Sequence, residues 1–161
     1  MTPSAISIRR GQPTDAPAVR QFVRDAYAEW VPLLGREPLP MQADYDLAMR
    51  AHLVDLVYVA GQLVGLIEMI HRPDDLFIEN IAVDASHRGR GLGRFLLLRA
   101  EDLAQSLQLD RLSLLTSQLM QSNIRLYRSA GFQIDRTEPF MGGTTVYMSK
   151  AVTPAASEAV V

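Results

Sequence analysis

Apolar residues recur along the chain at two periods, every second position in some stretches and every third or fourth in others, and this divides it into strands and helices. Residues 5–10 (AISIRR), closed by Gly11 and Pro13, predict a first strand. Thr14 then offers a cap to a helix whose stripe is Val19, Phe22, Val23, Ala26, Tyr27 and Trp30. The stretch 31–41 (VPLLGREPLPM) holds three prolines and a glycine, too many for regular helix, yet it is too apolar for a solvated linker. A loop folded over something is the expectation. Asp44 can cap a second short helix running to about Ala51.

Strands at 56–60 and 63–70 follow, joined by Gly61-Gln62 as a hairpin, and the HRPDD turn leads to a third, antiparallel strand at 76–83. Beyond a glycine-rich turn, Leu92, Phe95, Leu96, Ala100, Leu103 and Leu107 mark one face of a long helix that ends before Asp110. A strand at 111–115 then lies parallel to the 76–83 strand through a right-handed crossover. Ser122 is the expected cap of a last helix to Ser129, Gly131 stops it, and strands at 132–136 and 144–148 close the fold.

Composition narrows the class. The chain has 161 residues, 48% of them hydrophobic and 21% charged, so one domain at 5–150 with its own core is expected. Residues 151–161 lack a pattern and are expected to fray. There is no cysteine, which excludes disulfides and a thiol nucleophile and points to the cytoplasm by default. No apolar signal core and no membrane span is legible. A net charge of −2 argues against general attraction to nucleic acid, so any anion site is local. His52, His71 and His87 are scattered without acidic or thiol partners at ligand spacing, and no metal is expected.

The local anion site is the turn ENIAVDASHRGRGLGRFLL (79–97). It joins a strand end to a helix start, where unpaired N–H groups and the positive end of the helix dipole coincide. Gly89, Gly91 and Gly93 let a ligand approach the main chain, and Arg88, Arg90 and Arg94 can add charge from the rim. The strictly alternating glycines, with Arg94 at the place of a third fingerprint glycine and no lysine in the turn, weigh against dinucleotide and P-loop readings. A plain surface turn with solvated arginines stays open on these grounds alone.

The full string resembles the acetyl-CoA signature of the Gcn5-related N-acetyltransferase (GNAT) superfamily, with Arg88, Gly91 and Gly93 at its specified positions. NIRLYRSAGF (123–132) resembles that family's later segment, and the order of elements agrees over about residues 5–150. The resemblance implies an α/β (α+β) fold with a mixed, mostly antiparallel sheet of about seven strands and helices on both faces. It implies acetyl-CoA as cosubstrate, with backbone of Ile81, Ala82 and Val83 along the pantetheine arm. The N–H groups from Arg88 to Arg94, Leu92 among them, would take the pyrophosphate. It also implies transfer to a primary amine in a ternary complex. A non-catalytic acyl-CoA sensor on the same fold is the alternative, and a homodimer is compatible with the family.

An alkylammonium is neutral only about once in a few thousand at pH 7, so deprotonation costs roughly 4 to 5 kcal/mol and calls for a base. Glu79 shares strand parity with Ile81 and Val83 and interrupts an apolar strand; Glu68 in LIEMI is the runner-up. By the resemblance Tyr127 would protonate the departing thiolate. Where the family commonly has an asparagine, seven positions before that tyrosine, this chain has Met120; Asn123, one turn before Tyr127, is the substitute candidate for the pantetheine. Tyr27, Trp30 and Arg36 are expected to cover the amine acceptor.

Overall fold

The computed structural model describes residues 5–155. Seven strands form one sheet: β1 (Ile6–Arg10), β2 (Leu53–Val59), β3 (Gln62–His71), β4 (Leu76–Val83), β5 (Arg111–Ser117), β6 (Gln133–Phe140) and β7 (Gly143–Ala151). Their order is β1-β2-β3-β4-β5-β7-β6, and only the β4/β5 pair is parallel. The expected mixed, mostly antiparallel sheet is therefore present. Among the described residues no helix is long and apolar enough to cross a membrane.

One face of the sheet carries α1 (Ala16–Tyr27), α2 (Trp30–Leu34), α3 (Leu39–Gln42) and α4 (Tyr45–Ala51). The side chains of α1 and α4 pack there on Val54, Leu56, Leu66 and Ala82. The other face carries α5 (Leu92–Ser106) and α6 (Gln121–Ser129), packed on Val57, Ile67, Leu76, Ile78, Leu112 and Met148. Burying both faces is what excludes water from the middle strands.

Local departures from the sequence reading have identifiable causes. The 31–41 stretch is not all loop: its prolines fall at helix starts, where a missing N–H costs nothing, so Pro32 sits inside the first turn of α2 and Pro40 inside that of α3. The β2/β3 turn is Ala60-Gly61, both at positive φ, rather than Gly61-Gln62. Ser122 does not cap α6; Met120 holds that position with its side chain buried. The last two strands are longer than their apolar cores because they pair with each other along their length. Finally, Ala151 ends β7, Val152 is buried, and its N–H and that of Ala155 donate to Asp110 and Gln105 carbonyls, so the segment expected to fray is tied down through Ala155. Residues 156–161 of that expectation lie outside the described residues.

Two features of β4 position everything that follows. Its pairing with β5 covers only Leu76↔Leu112, Phe77↔Ser113 and Ile78↔Leu114, after which β4 runs on to Val83 with its β5-facing edge unpaired. On its other edge, Met69 pairs with Ile78 and Glu68 with Asn80, which leaves Glu79 as the extra residue of a bulge.

Candidate active site

The unpaired stretch of β4 separates two cavities. One, about 720 Å³, lies on the glycine-turn side and is lined by Ile81, Ala82, Val83, Arg88, Gly89, Gly91, Leu92, Gly93 and Arg94 together with one face of α6. The other, about 640 Å³, lies under α1, α3 and α4 and includes Glu68, Glu79, Asn80 and His52. Tyr27, Ile81, Asn123 and Tyr127 line both. The cavities thus meet where β4 leaves β5.

The turn is shaped for close approach. Gly89 and Gly91 have φ of 73° and 84°, and a Cβ built on either would meet no protein atom within 4 Å, so the space over the backbone is open. Gly91 starts α5, whose first-turn N–H groups have no carbonyl of their own helix to bond. Gly93 has a different role: a Cβ there would stand 2.9 Å from Leu126 Cδ2, so its absence lets α6 close against α5.

The arginines divide. Arg88 donates to the carbonyls of Ala26 and Val83 and pairs with Glu29, which ties the turn to α1. Arg94 donates to the Ser129 carbonyl at 2.7 Å and fastens α5 to α6. Arg90 is exposed at the tip of the turn and does not line the cavity. Of the three arginines expected at the rim, Arg88 and Arg94 line the cavity and Arg90 does not, and Arg125 of α6 joins them beside Ser122 and Ser129. His87, bonded to Asp84 at 3.0 Å, also lines it.

Tyr127 is buried, with its ring 6.1 Å from that of Phe132, and its hydroxyl makes no protein hydrogen bond among the described residues. Burial pushes its ionisation up from the ordinary phenol value. Asn123 stands at the mouth between the cavities, on the first turn of α6. Met120, in the position of the family asparagine, packs with the α1 face, its sulfur 3.9 Å from Thr116 Oγ1.

Glu79 projects from the bulge into the second cavity. Partial burial raises its carboxyl above the usual range and Glu68 raises it further, while His52 and Arg72 oppose the rise. The bulge breaks the parity read from the sequence: Ile81 and Val83 pack toward α5, whereas Glu79 faces the α1 side. Glu68 is 3% exposed and bonds His52 Nδ1 at 2.5 Å.

The three residues expected over the acceptor separate. Arg36 lines the second cavity, its guanidinium 5.6 Å from the Phe140 ring centre. Tyr27 is 9% exposed and its hydroxyl lies 2.6 Å from Asn80 Oδ1 and 3.0 Å from the Ile81 carbonyl, which holds the free part of β4 against α1. Trp30 lines the first cavity instead, because the chain turns after Tyr27 and α2 carries Trp30 toward Arg88 and Glu29. Sequence reading took Ser122 only as a cap and passed over Arg125, although their spacing with Ser129 marks a polar stripe opposite buried Ile124 and Tyr127. It also set His52 aside as scattered. Among the described residues no cluster of three or more His, Asp or Glu could hold a metal.

Comparison with known proteins gives the family and the fold. Residues 18–132 match the acetyltransferase (GNAT) family. N-acetyltransferase family 8 member 3 of Rattus norvegicus is 32% identical over 79 residues, 45% of this chain and 35% of that protein, so the chain spans about a third of that relative. The PaiA N-acetyltransferase of Thermoplasma acidophilum, solved in complex with coenzyme A, superposes with a TM-score of 0.79 at 15% identity over 91% of this chain and 99% of that one. The ribosomal-protein-S18-alanine N-acetyltransferase of Escherichia coli gives 0.73 at 21% identity, covering 98% and 99%. At these identities the two structures share the fold.

Proposed function

The chain belongs to the acetyltransferase (GNAT) family, and on that premise we propose that residues 5–150 form one catalytic domain that moves an acetyl group from acetyl-CoA to a primary amine within a ternary complex. The observation that carries this reading is the meeting of two cavities at Tyr27, Ile81, Asn123 and Tyr127, one shaped for a diphosphate and the other lined by carboxylates.

The donor cavity fits coenzyme A by its chemistry. Open space over Gly89 and Gly91 and the unbonded N–H groups opening α5 suit a pyrophosphate, with Arg125 supplying charge. The unpaired edge from Ile81 to Val83 suits the amides of a pantetheine arm, as a strand would. Asn123 stands beside that path.

In the acceptor cavity Glu79 takes the proton of the ammonium, directly or through water, and a raised carboxyl is the better-matched base. An N–H of the Ile81–Val83 edge holds the charge that gathers on the thioester oxygen. Tyr127 donates its hydroxyl hydrogen toward sulfur as the C–S bond breaks. Leu39, Leu47, Leu119, Phe140 and Met141 line the same cavity, so the amine sits on an apolar body.

The test is thiol release from acetyl-CoA against a panel of primary amines with apolar bodies and polyamines, on the full chain. Turnover with an apolar amine is expected; tight acetyl-CoA binding without turnover on any amine would instead identify a sensor.

A further inference from the structure

The acceptor cavity contains a pair of side chains that this proton transfer leaves unused. Glu68 on β3 is almost wholly buried, yet its Oε2 lies 2.5 Å from Nδ1 of His52, the residue that ends α4 and leads into β2. Val54 and Glu68 are opposite in the β2/β3 register, and Glu68 is opposite Asn80 in the β3/β4 register, with bulged Glu79 next in the chain. All three titratable groups line the same cavity.

A buried carboxylate near a second one is costly without a countercharge. His52 is that countercharge when both ring nitrogens carry protons. The other groups felt at Glu79 do not substitute for it. Arg72 belongs to the turn after β3, where Asp75 engages it at 2.5 Å. Tyr45 of α4 is a neutral hydroxyl bonded to the Pro40 carbonyl. Arg36 and Asp44 lie on the cavity wall, β5 contributes Leu114, Leu115, Thr116 and Ser117, and α6 contributes Asn123 and Tyr127.

We propose that His52 and Glu68 are positioning residues whose paired charges fix how readily Glu79 takes the proton of the acceptor amine. The inference rests on the reading of Glu79 as the base. Burial and then Glu68 make Glu79 hold its proton more tightly; His52 opposes that rise in part. Removing either partner therefore acts on Glu79 with opposite sign, which a merely structural hydrogen bond would not do.

The experiment follows the Glu79 side-chain carboxyl by carbon NMR through a pH titration of the full chain labelled with 13C-glutamate, in wild type, His52→Gln and Glu68→Gln. The same variants and Glu79→Gln are assayed for kcat/KM against pH with acetyl-CoA and the best amine of the panel. His52→Gln should move the Glu79 midpoint and the acidic limb to higher pH, and Glu68→Gln should move both to lower pH. On the limb, kcat/KM should fall and rise respectively by about three- to tenfold. If neither midpoint moves, or both move the same way, the proposal is overturned. An acidic limb that survives in Glu79→Gln defeats the reading of Glu79 as base. A limb lost in Glu79→Gln but unmoved in the other two defeats the pairing alone. If either glutamine variant fails to fold, His52→Asn or Glu68→Asn takes its place in the same comparison of signs.

Discussion

Replacing Tyr127 with phenylalanine separates its packing from its hydroxyl. The ring is buried against Phe132 and the α5 layer, and phenylalanine keeps that volume, while the hydroxyl has no protein partner among the described residues to leave unpaired. Stability should therefore change little, by less than about 0.5 kcal/mol. The catalytic effect should be larger. Burial raises the phenol further above a thiol than it is in water, so the proton cannot leave Tyr127 before sulfur carries charge. What is lost is a hydrogen bond to a developing anion, worth about 1.5 to 3 kcal/mol, or roughly 10- to 150-fold in kcat. The assay combines initial rates of thiol release, calorimetric Kd for acetyl-CoA and thermal unfolding. A kcat within twofold of wild type, or a loss matched by equal losses in Kd or Tm, would refute the reasoning.

Gly91→Ala should lower stability by about 1 to 2 kcal/mol, since φ of 84° is left-handed and no contact compensates, and should weaken acetyl-CoA binding more than it lowers Tm predicts; calorimetry at matched temperature distinguishes the two. Trp30→Ala should raise KM for acetyl-CoA and Arg36→Ala that for the amine, because they line different cavities; the reverse pattern would contradict the placement. Glu79→Gln should abolish the acidic limb of kcat/KM and also stabilise the fold at neutral pH. The folded carboxyl holds its proton more tightly than the unfolded one, so ionised Glu79 opposes folding above its raised pKa. The gain in Tm should vanish below about pH 3, where both states are protonated.

The strands, long helices and glycine turn were legible because each rests on a local signal: a two- or 3.6-residue period, a cap, a positive-φ glycine. Asp44, for example, does accept from the Leu47 N–H at 3.1 Å. What escaped depends on contacts distant in the chain. Arg88 looks like an anion ligand in a turn, but its partners Ala26 and Glu29 are about sixty positions away. His52 and Glu68 become neighbours only through the β2/β3 register, which itself slips once between Val57 and Tyr58. Trp30 continues the stripe of α1 by spacing, yet the helix ends at Tyr27 and sends it to the other cavity.

The inserted residue Glu79 explains how one short strand can line two cavities. Before it, Leu76 and Ile78 face α5; strict alternation would continue with Asn80 and Ala82 on that face, placing a polar amide in an apolar layer. The bulge reverses the parity, so Asn80 meets Tyr27 and Tyr45 on the α1 side while Ile81 and Val83 pack toward α5. The extra residue also increases local twist, and the β4/β5 ladder ends at the residue before it. The insertion thus turns a carboxylate toward the cavity under α1, at the point where the backbone edge beside the other cavity becomes unpaired. On the proposed reading a single step in register links the base to the thioester site, and no substitution at Glu79 that preserves the bulge should disturb the donor side.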